Sequence, residues 1–177
     1  MSVKKQAAGR RSVQVKVPDG AQSAAARRSA EAELDGLIAK FAPARLRLIA
    51  AMRRSLRKRL PTAHEVVYEY RAWFVISYSP GEHGYEGVLA IRADADGVKL
   101  YFNRGKELSD PEKLLQGSGG QVRSINMEGA STLARPAVAR LIDEAIAGNR
   151  VPFAHTGRGP VVIQSVLATK RPRRRPA

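Results

Sequence analysis

The 177-residue sequence contains no cysteine. This absence excludes disulfide bonds, thiolate nucleophiles and zinc sites with thiolate ligands. A chain without disulfides suits a reducing compartment, and the basic residues of segment 1–11 are not followed by the apolar stretch of a secretory signal. We therefore expect a cytoplasmic protein.

Long apolar runs and histidine clusters are missing as well. No stretch approaches the ~20 consecutive apolar residues of a membrane-spanning helix, so we expect no membrane partner. The adjacent pairs His64-Glu65 and Glu82-His83 would point to opposite faces of an extended strand. None of the three histidines, the third being His155, has a second His or Cys at helical spacing. The sequence thus predicts no metal site and no cofactor.

Acidic residues are scarce at both ends of the chain, whose formal net charge is +15. Residues 1–62 hold 15 Lys/Arg and 4 Asp/Glu, residues 63–149 hold 9 and 12, and residues 150–177 hold 7 and none. A mildly acidic body with two basic ends is typical of proteins with a polyanionic partner, although the same pattern also serves solubility.

Hydrophobic residues account for 44% of the chain, which is enough to build the core of one domain. The composition indicates three parts: a basic disordered arm over residues 1–22, a folded α+β domain over residues 23–168 and a basic tail over residues 169–177. We therefore expect a single domain with two solvated ends.

The order of the predicted elements indicates the fold class. Apolar residues at helical spacing predict two helices separated by Pro43 and a third helix over residues 130–149. Alternating residues predict strands over residues 65–102. Residues 161–166, which begin Val-Val-Ile, predict one more strand. No gap between the strands of residues 65–102 can hold a crossover helix. We therefore expect an α+β fold in which helices pack on one face of an antiparallel sheet.

The most irregular part of the sequence, which we call the central stretch, follows the strand predicted at residues 98–102. The alternation stops at Gly105, where we expect a positive φ. Asp110 before Pro111 predicts the N-cap of a short helix that ends at Gly117. A glycine bend and a further strand follow.

The central stretch carries the pattern G-x-x-L-x-D-P-x-x-L-L-x-G-x-G-x-x-x-R, formed by Gly105, Leu108, Asp110, Pro111, Leu114, Leu115, Gly117, Gly119 and Arg123. It resembles the signature of the YdhG-like domains, a family whose members mostly have no established activity. The resemblance covers about residues 35–148 and implies a frataxin-like fold. It also implies iron delivery as an alternative function, with acids of the first helix as iron ligands. Those acids are Glu31, Glu33 and Asp35.

Polar residues of the central stretch form the first candidate binding site: Arg104, Lys106, Asp110, Ser118 and Arg123. Catalysis is not indicated, because the chain shows neither a Ser-His-Asp order nor a pair of carboxylates. The glycines at residues 117–120 lead into a strand, whereas phosphate-binding glycine loops open into a helix. We therefore expect a binding protein and not an enzyme.

Cations of the second predicted helix form the second candidate site. Residues 44–60 contain no acid, whereas a helix with a purely structural role normally intersperses glutamates, so this face is either solvated or anion-binding. The sequence favours a polyanionic partner, nucleic acid first and an acidic protein second, held without base recognition. The candidate residues in the helix and the tail are Arg47, Arg53, Arg54, Arg57, Lys58, Lys170, Arg171, Arg173, Arg174 and Arg175.

Overall fold

The structure is a computed structural model that describes residues 22–165. Apart from Gln22, the predicted basic arm lies outside the described residues, and so does the predicted basic tail with Lys170, Arg171, Arg173, Arg174 and Arg175. The α-helices are α1 (Ala24–Ile38), α2 (Pro43–Arg59) and α3 (Pro136–Ala147). The strands are β1 (His64–Glu69), β2 (Trp73–Ser79), β3 (Leu89–Asp94), β4 (Gly97–Phe102), β5 (Arg123–Asn126) and β6 (Val161–Ser165).

Local sequence signals account for the ends of the first two helices. Ser23 Oγ accepts a hydrogen bond from the backbone N of Ala26 at 3.1 Å, which caps α1. α2 begins at Pro43, whose missing N–H has no partner to lose in the first turn of a helix. The prediction of two helices separated by Pro43 is confirmed.

The six strands form one sheet in the order β5-β4-β3-β2-β1-β6. β1 to β5 pair antiparallel in sequence order. In the turn between β3 and β4, the backbone N of Asp96 donates to Asp94 Oδ1 at 3.0 Å, as expected for a hairpin turn rich in Asp and Gly. The prediction of an α+β fold is confirmed.

The prediction of a wholly antiparallel sheet is wrong, because β6 runs parallel to β1. The chain between β5 and β6 includes α3, so it is long enough to return to the same end of the sheet. Gly159 then lies directly on the backbone that precedes β1. Its N donates to Pro61 O at 2.9 Å, and a Cβ added to it would overlap the carbonyl of Ala63. This contact aligns the starts of β1 and β6.

Alternation along the strands gives the sheet two different faces. One cross-strand row consists of Val67, Ile76, Ile91, Leu100 and Ile125, all 0–5% exposed. These side chains join the buried residues of the three helices in a single core cluster. We call this side the helix-covered face. We call the opposite side of the sheet the open face, because the helices of residues 22–165 contribute their buried side chains to the helix-covered face instead.

The central stretch differs from its prediction in two ways. No helix begins at Pro111; a single 3₁₀ turn occupies Gly105–Glu107 instead. Asp110 accepts hydrogen bonds from the backbone N of Leu114 and of Leu115, at 3.0 and 2.7 Å, so it closes a loop and caps no helix.

Glycine serves two different purposes in this loop. Gly105 lacks the predicted positive φ; a Cβ there would overlap the Cβ of Arg123, so close packing requires the glycine. Gly117 does take a positive φ of 122°.

The third predicted helix is shorter than residues 130–149. A 3₁₀ turn over Ala130–Ala134 comes first, and α3 starts only at Pro136. Proline disfavours helical dihedrals in the residue before it, and Arg135 is extended with φ −61° and ψ 129°. Pro136 therefore separates the two pieces.

Candidate functional site

Arg104, the first residue of the predicted central site, lies at the C-terminal end of α3. Its Nη1 donates to the carbonyl oxygen of Gly148 at 2.8 Å, and its Nε donates to Glu107 at 3.0 Å. A cation at the negative end of a helix dipole stabilises that helix end. The cavity beside Arg104, of about 110 Å³, is not lined by the other four predicted residues.

The other residues of the predicted central site do not converge. The carboxylate of Asp110 serves the loop described above, and Arg123 Nη1 donates to two backbone carbonyls of its own loop at 2.7 and 2.8 Å. Lys106 and Ser118 are exposed. Within the described residues, these five side chains therefore do not assemble into one site, and three of them hold the central stretch in shape.

Two of the five predicted cations of α2 turn inward. Arg53 donates from Nε and Nη2 to the carboxylate of Glu65 over 2.7–3.1 Å, and Arg57 Nε lies 3.1 Å from the same carboxylate. Glu31 of α1 accepts from Arg53 Nη2 at 2.6 Å and from Arg57 Nη1 at 2.8 Å. Two arginines thus neutralise two glutamates. Arg53 and Arg57 are therefore engaged inside the protein and are not candidates for binding a polyanion.

The inward network is largely shielded from solvent. Glu65 is 1% exposed and also accepts a hydrogen bond from Tyr78 Oη at 3.1 Å. Burial alone would raise the pKa of Glu31, but the hydrogen bonds and charges of Arg53 and Arg57 outweigh burial and lower it. For Arg53, burial would lower the pKa, but hydrogen bonds and charge from Glu65 outweigh it. Burial, together with the charge of Glu65, raises the pKa of Tyr78. Glu31 and Arg53 therefore stay charged and Tyr78 stays neutral.

A sequence signal for this network was available in Glu65. Glu65 has the same strand parity as Val67, so it points to the helix-covered face. Burial of a carboxylate without partners costs several kcal/mol of folding free energy. A core position for Glu65 therefore requires cations or hydrogen-bond donors on the helices that pack against it. Strand parity therefore predicts that some cations of α2 are internal, but it does not identify them.

The remaining three candidate cations of α2 form an exposed row. Arg47, Arg54 and Lys58 are spaced i, i+7 and i+11, which places them on one side of the helix, opposite the buried residues Ile49, Met52 and Leu56. None of the ion pairs within residues 22–165 includes any of the three. We call Arg47, Arg54 and Lys58 the outer stripe; it extends over roughly 16 Å at 1.5 Å per residue.

An open groove runs beside the outer stripe. Its volume is about 790 Å³, and Arg47 and Arg54 line it on the α2 side. Gly97 and Met127 are among the residues on its sheet side, where Glu128 adds one carboxylate. The groove is thus a wide, mainly basic and apolar depression, which suits an extended anion better than a small enclosed ligand.

The acids that iron delivery would use are not gathered in one place. Glu31 is bound by Arg53 and Arg57, whereas Glu33 and Asp35 are exposed on α1. Within residues 22–165, no three His, Cys, Asp or Glu side chains are grouped closely enough to hold a metal ion. The geometry of the described residues therefore offers Fe²⁺ no site with several carboxylate ligands.

In the part of the chain that the structure describes, no helix has the length and apolar composition needed to cross a membrane. Comparison of the chain with protein-family models, with curated proteins and with solved structures gives no match.

Proposed function

We propose that this protein is a non-enzymatic binding domain that contacts a polyanion, with the sugar–phosphate backbone of a nucleic acid as the preferred partner. The observation that carries the proposal is the division of the α2 cations. Arg53 and Arg57 are neutralised inside, while Arg47, Arg54 and Lys58 face outward with no ion pair in the described residues.

The outer stripe meets the physical requirements of phosphate contact. Three like charges along one helix face repel one another, and an external anion removes that repulsion. The groove beside the stripe leaves room for an extended chain. Lys and Arg contacts to phosphates position a nucleic acid without reading its bases, so we expect binding that is salt-sensitive and indifferent to sequence.

The resemblance of the central motif to YdhG-like domains, with the frataxin-like arrangement it implies, belongs to the same proposal. Iron delivery, the alternative function that this resemblance implies, is less well supported, because Glu31 already accepts hydrogen bonds from two arginines. Stoichiometric Fe²⁺ uptake in a calorimetric titration, abolished in Glu33→Gln/Asp35→Asn, would reinstate it.

The test is the salt dependence of binding to a labelled 20-base-pair duplex, measured by fluorescence anisotropy. Each phosphate contact contributes about −0.9 to the slope of log K against log salt concentration. Arg54→Glu/Lys58→Glu should therefore make the slope shallower by about 2. The matched control is Lys106→Glu/Arg150→Glu, which changes the net charge equally at two exposed cations outside α2.

The comparison between the two double variants decides the outcome. The outer stripe is supported if Arg54→Glu/Lys58→Glu changes the salt slope and Lys106→Glu/Arg150→Glu leaves the slope near that of the original protein. Equal changes in both would mean that only net charge matters. Absence of duplex binding at low salt would overturn the proposal.

A further inference from the structure

The open face of the sheet carries a second set of aromatic and basic side chains. One cross-strand row contains Tyr68 on β1, Val75 on β2, Arg92 on β3 and Lys99 on β4, all partly exposed. Tyr101 follows two residues after Lys99 on the same face. The core cluster includes none of these residues, so the row lies outside the core.

One end of the open face is covered by a loop of the described chain. The loop after β2 folds over that end: Ser77 Oγ donates to Gly84 O at 3.1 Å, Ser79 Oγ donates to His83 O at 2.7 Å, and the backbone N of Gly84 donates to Tyr68 Oη at 3.2 Å. At the other end, Trp73 is 38% exposed. The uncovered half therefore lies around Trp73.

The aromatic residues are sorted between the two faces by chemical type. Phe74 and Phe102 lie in the core, at 3% and 0% exposure, and of the five tyrosines only Tyr78 is buried with them. The single tryptophan, Trp73, is outside the core. Rings with a polar edge are thus concentrated where they meet solvent, which is typical of binding surfaces and not of a core.

Trp73 belongs to a continuous layer of flat side chains across three strands. Its ring centroid lies 5.1 Å from that of Tyr70. Arg92 Cζ lies 4.6 Å from the centroid of the Trp73 ring and 5.7 Å from that of Tyr101. The guanidinium of Arg92 therefore bridges two rings, and aromatic rings and guanidinium planes are the surfaces on which unpaired bases stack.

Positive charge accompanies this layer. Arg92 and Lys99 are direct cross-strand partners, an arrangement that like charges destabilise. Asp94 Oδ2 lies 3.3 Å from Arg92 Nε, but this nitrogen forms no hydrogen bond. Arg71 is exposed two residues before Trp73, and both line a cavity of about 240 Å³ at the end of the sheet. Lys40, Arg45, Glu69 and Asp94 line the same cavity. Together with Arg71, Arg92 and Lys99 they give five cations against two acids, so the surface is suited to an anion.

We propose that the open face binds single-stranded nucleic acid. Unpaired bases stack on the Trp73–Arg92–Tyr101 layer, and phosphates contact Arg71, Arg92 and Lys99. The proposal rests on the proposed function for the class of partner, but it uses a different surface and predicts a preference for unpaired strands. The chain's own ends are poor occupants of this basic surface, because residues 1–21 and 166–177 are themselves basic. A second copy of the chain, with a net charge of +15, is disfavoured for the same reason.

Trp73 is the only tryptophan in the chain, so tryptophan fluorescence, excited selectively over that of the five tyrosines, reports on this surface alone. The test titrates the full chain with a six-residue oligothymidylate, dT6, and separately with a short duplex. We expect saturable quenching by dT6 and little quenching by the duplex, because paired bases cannot stack on the layer. Tyr101→Leu should weaken dT6 binding about tenfold, as the loss of one stacking ring does elsewhere.

Two controls separate stacking from general damage. Tyr85→Leu removes a tyrosine that is 79% exposed on the covering loop, outside the layer, and should leave the affinity for dT6 unchanged. Thermal unfolding of each variant establishes that it is folded. An equal loss in Tyr85→Leu and Tyr101→Leu would overturn the stacking proposal.

The remaining outcomes distinguish this inference from the proposed function. Salt-sensitive binding of duplex and single strand with unchanged Trp73 fluorescence would overturn the inference and leave the outer stripe standing. Quenching by dT6 combined with a salt slope insensitive to Arg54→Glu/Lys58→Glu would support the inference and overturn the stripe. Quenching by polyglutamate as strong as that by dT6 would assign the open face to an acidic protein and overturn the nucleic-acid assignment.

Discussion

Asp110 shows how one carboxylate can be important for a different reason from the one its sequence context suggests. Its position before Pro111 is typical of an N-cap, yet the chain after it forms a loop, in which Lys113 takes a positive φ of 54°. The two carboxylate oxygens bind the backbone N–H groups of Leu114 and Leu115. The side chain of Asp110 therefore supplies the hydrogen-bond acceptors that backbone carbonyl groups would supply in a helix.

We expect Asp110→Ala to lower the free energy of unfolding by about 1–2 kcal/mol, because two backbone N–H groups lose a charged acceptor. Urea denaturation followed by circular dichroism measures the change. Ser118→Ala is the matched control, since Ser118 is an exposed residue of the same stretch, and it should change stability by less than about 0.5 kcal/mol. An unchanged unfolding midpoint in Asp110→Ala would contradict the structural role.

Glu31 gives a second expectation at the scale of single residues, through its lowered pKa. A carboxyl group whose pKa is lower in the folded state stabilises the fold fully above its unfolded pKa, near the ordinary value of 4.5. That contribution disappears as the pH falls through the lower, folded pKa. We therefore expect stability to fall at acid pH more steeply in the original protein than in Glu31→Gln.

Urea midpoints measured from about pH 7 to pH 3 test this expectation. His64 adds a loss of its own that starts at higher pH, because burial lowers its pKa below 6.5 despite the nearby charge of Glu82. This loss is common to both proteins and cancels in their difference. Parallel curves for the original protein and Glu31→Gln would contradict the ion pairing of Glu31.

At the scale of secondary-structure elements, β6 is the strand whose placement depends on distant parts of the chain. A strand forms at β6 as the sequence predicts, but the strand-forming residues Val161, Val162 and Ile163 do not determine whether it runs parallel or antiparallel to its neighbour. Gly159, two residues before the strand, has a backbone hydrogen bond to Pro61 and no room for a side chain beside Ala63. The start of β1 therefore positions the start of β6.

We expect Gly159→Ala to lower the free energy of unfolding by about 2–3 kcal/mol, because the added methyl group must displace backbone. Gly119→Ala is the control: a Cβ there meets no atom within 4 Å, and its φ is not positive, so its effect should stay below about 0.5 kcal/mol. Both values follow from chemical denaturation. Equal stability of the two variants would contradict the close packing at Gly159.

At the scale of the whole molecule, the two proposed surfaces lie on opposite sides. The outer stripe lies on the side of α2 opposite its buried residues Ile49, Met52 and Leu56, which pack toward the sheet. The open face is the opposite side of that sheet. Gly97 and Val98 of β4 line the groove beside the outer stripe, whereas Lys99 and Tyr101 of the same strand belong to the open face, so the sheet itself separates the two sites. The phosphates of a six-nucleotide strand whose bases stack on the open face lie beside those bases, so they remain on that side of the sheet.

We therefore expect Arg54→Glu/Lys58→Glu to leave the affinity for dT6 nearly unchanged at about 0.15 M salt, because a screening length of about 8 Å weakens the effect of charges that the short strand does not contact. The same variant should weaken binding of a 30-nucleotide oligothymidylate by about tenfold or more, because the long strand engages both surfaces at once. Fluorescence titration with both strands measures the two affinities. A similar loss for dT6 would mean that the surfaces are not independent.

The sequence alone was sufficient for the features that depend on neighbouring residues. Pro43 separates the first two helices and the strands of residues 64–102 follow their alternation, because proline sterics and side-chain periodicity act within a few residues. The tertiary structure decided what depends on residues far apart in the chain. The direction of β6, the contact of Gly105 with Arg123 and the separation of Arg53 and Arg57 from the outer stripe are of this kind. In the last case all five cations share one helix, and only the position of Glu31 and Glu65 beside it determines which of them face solvent.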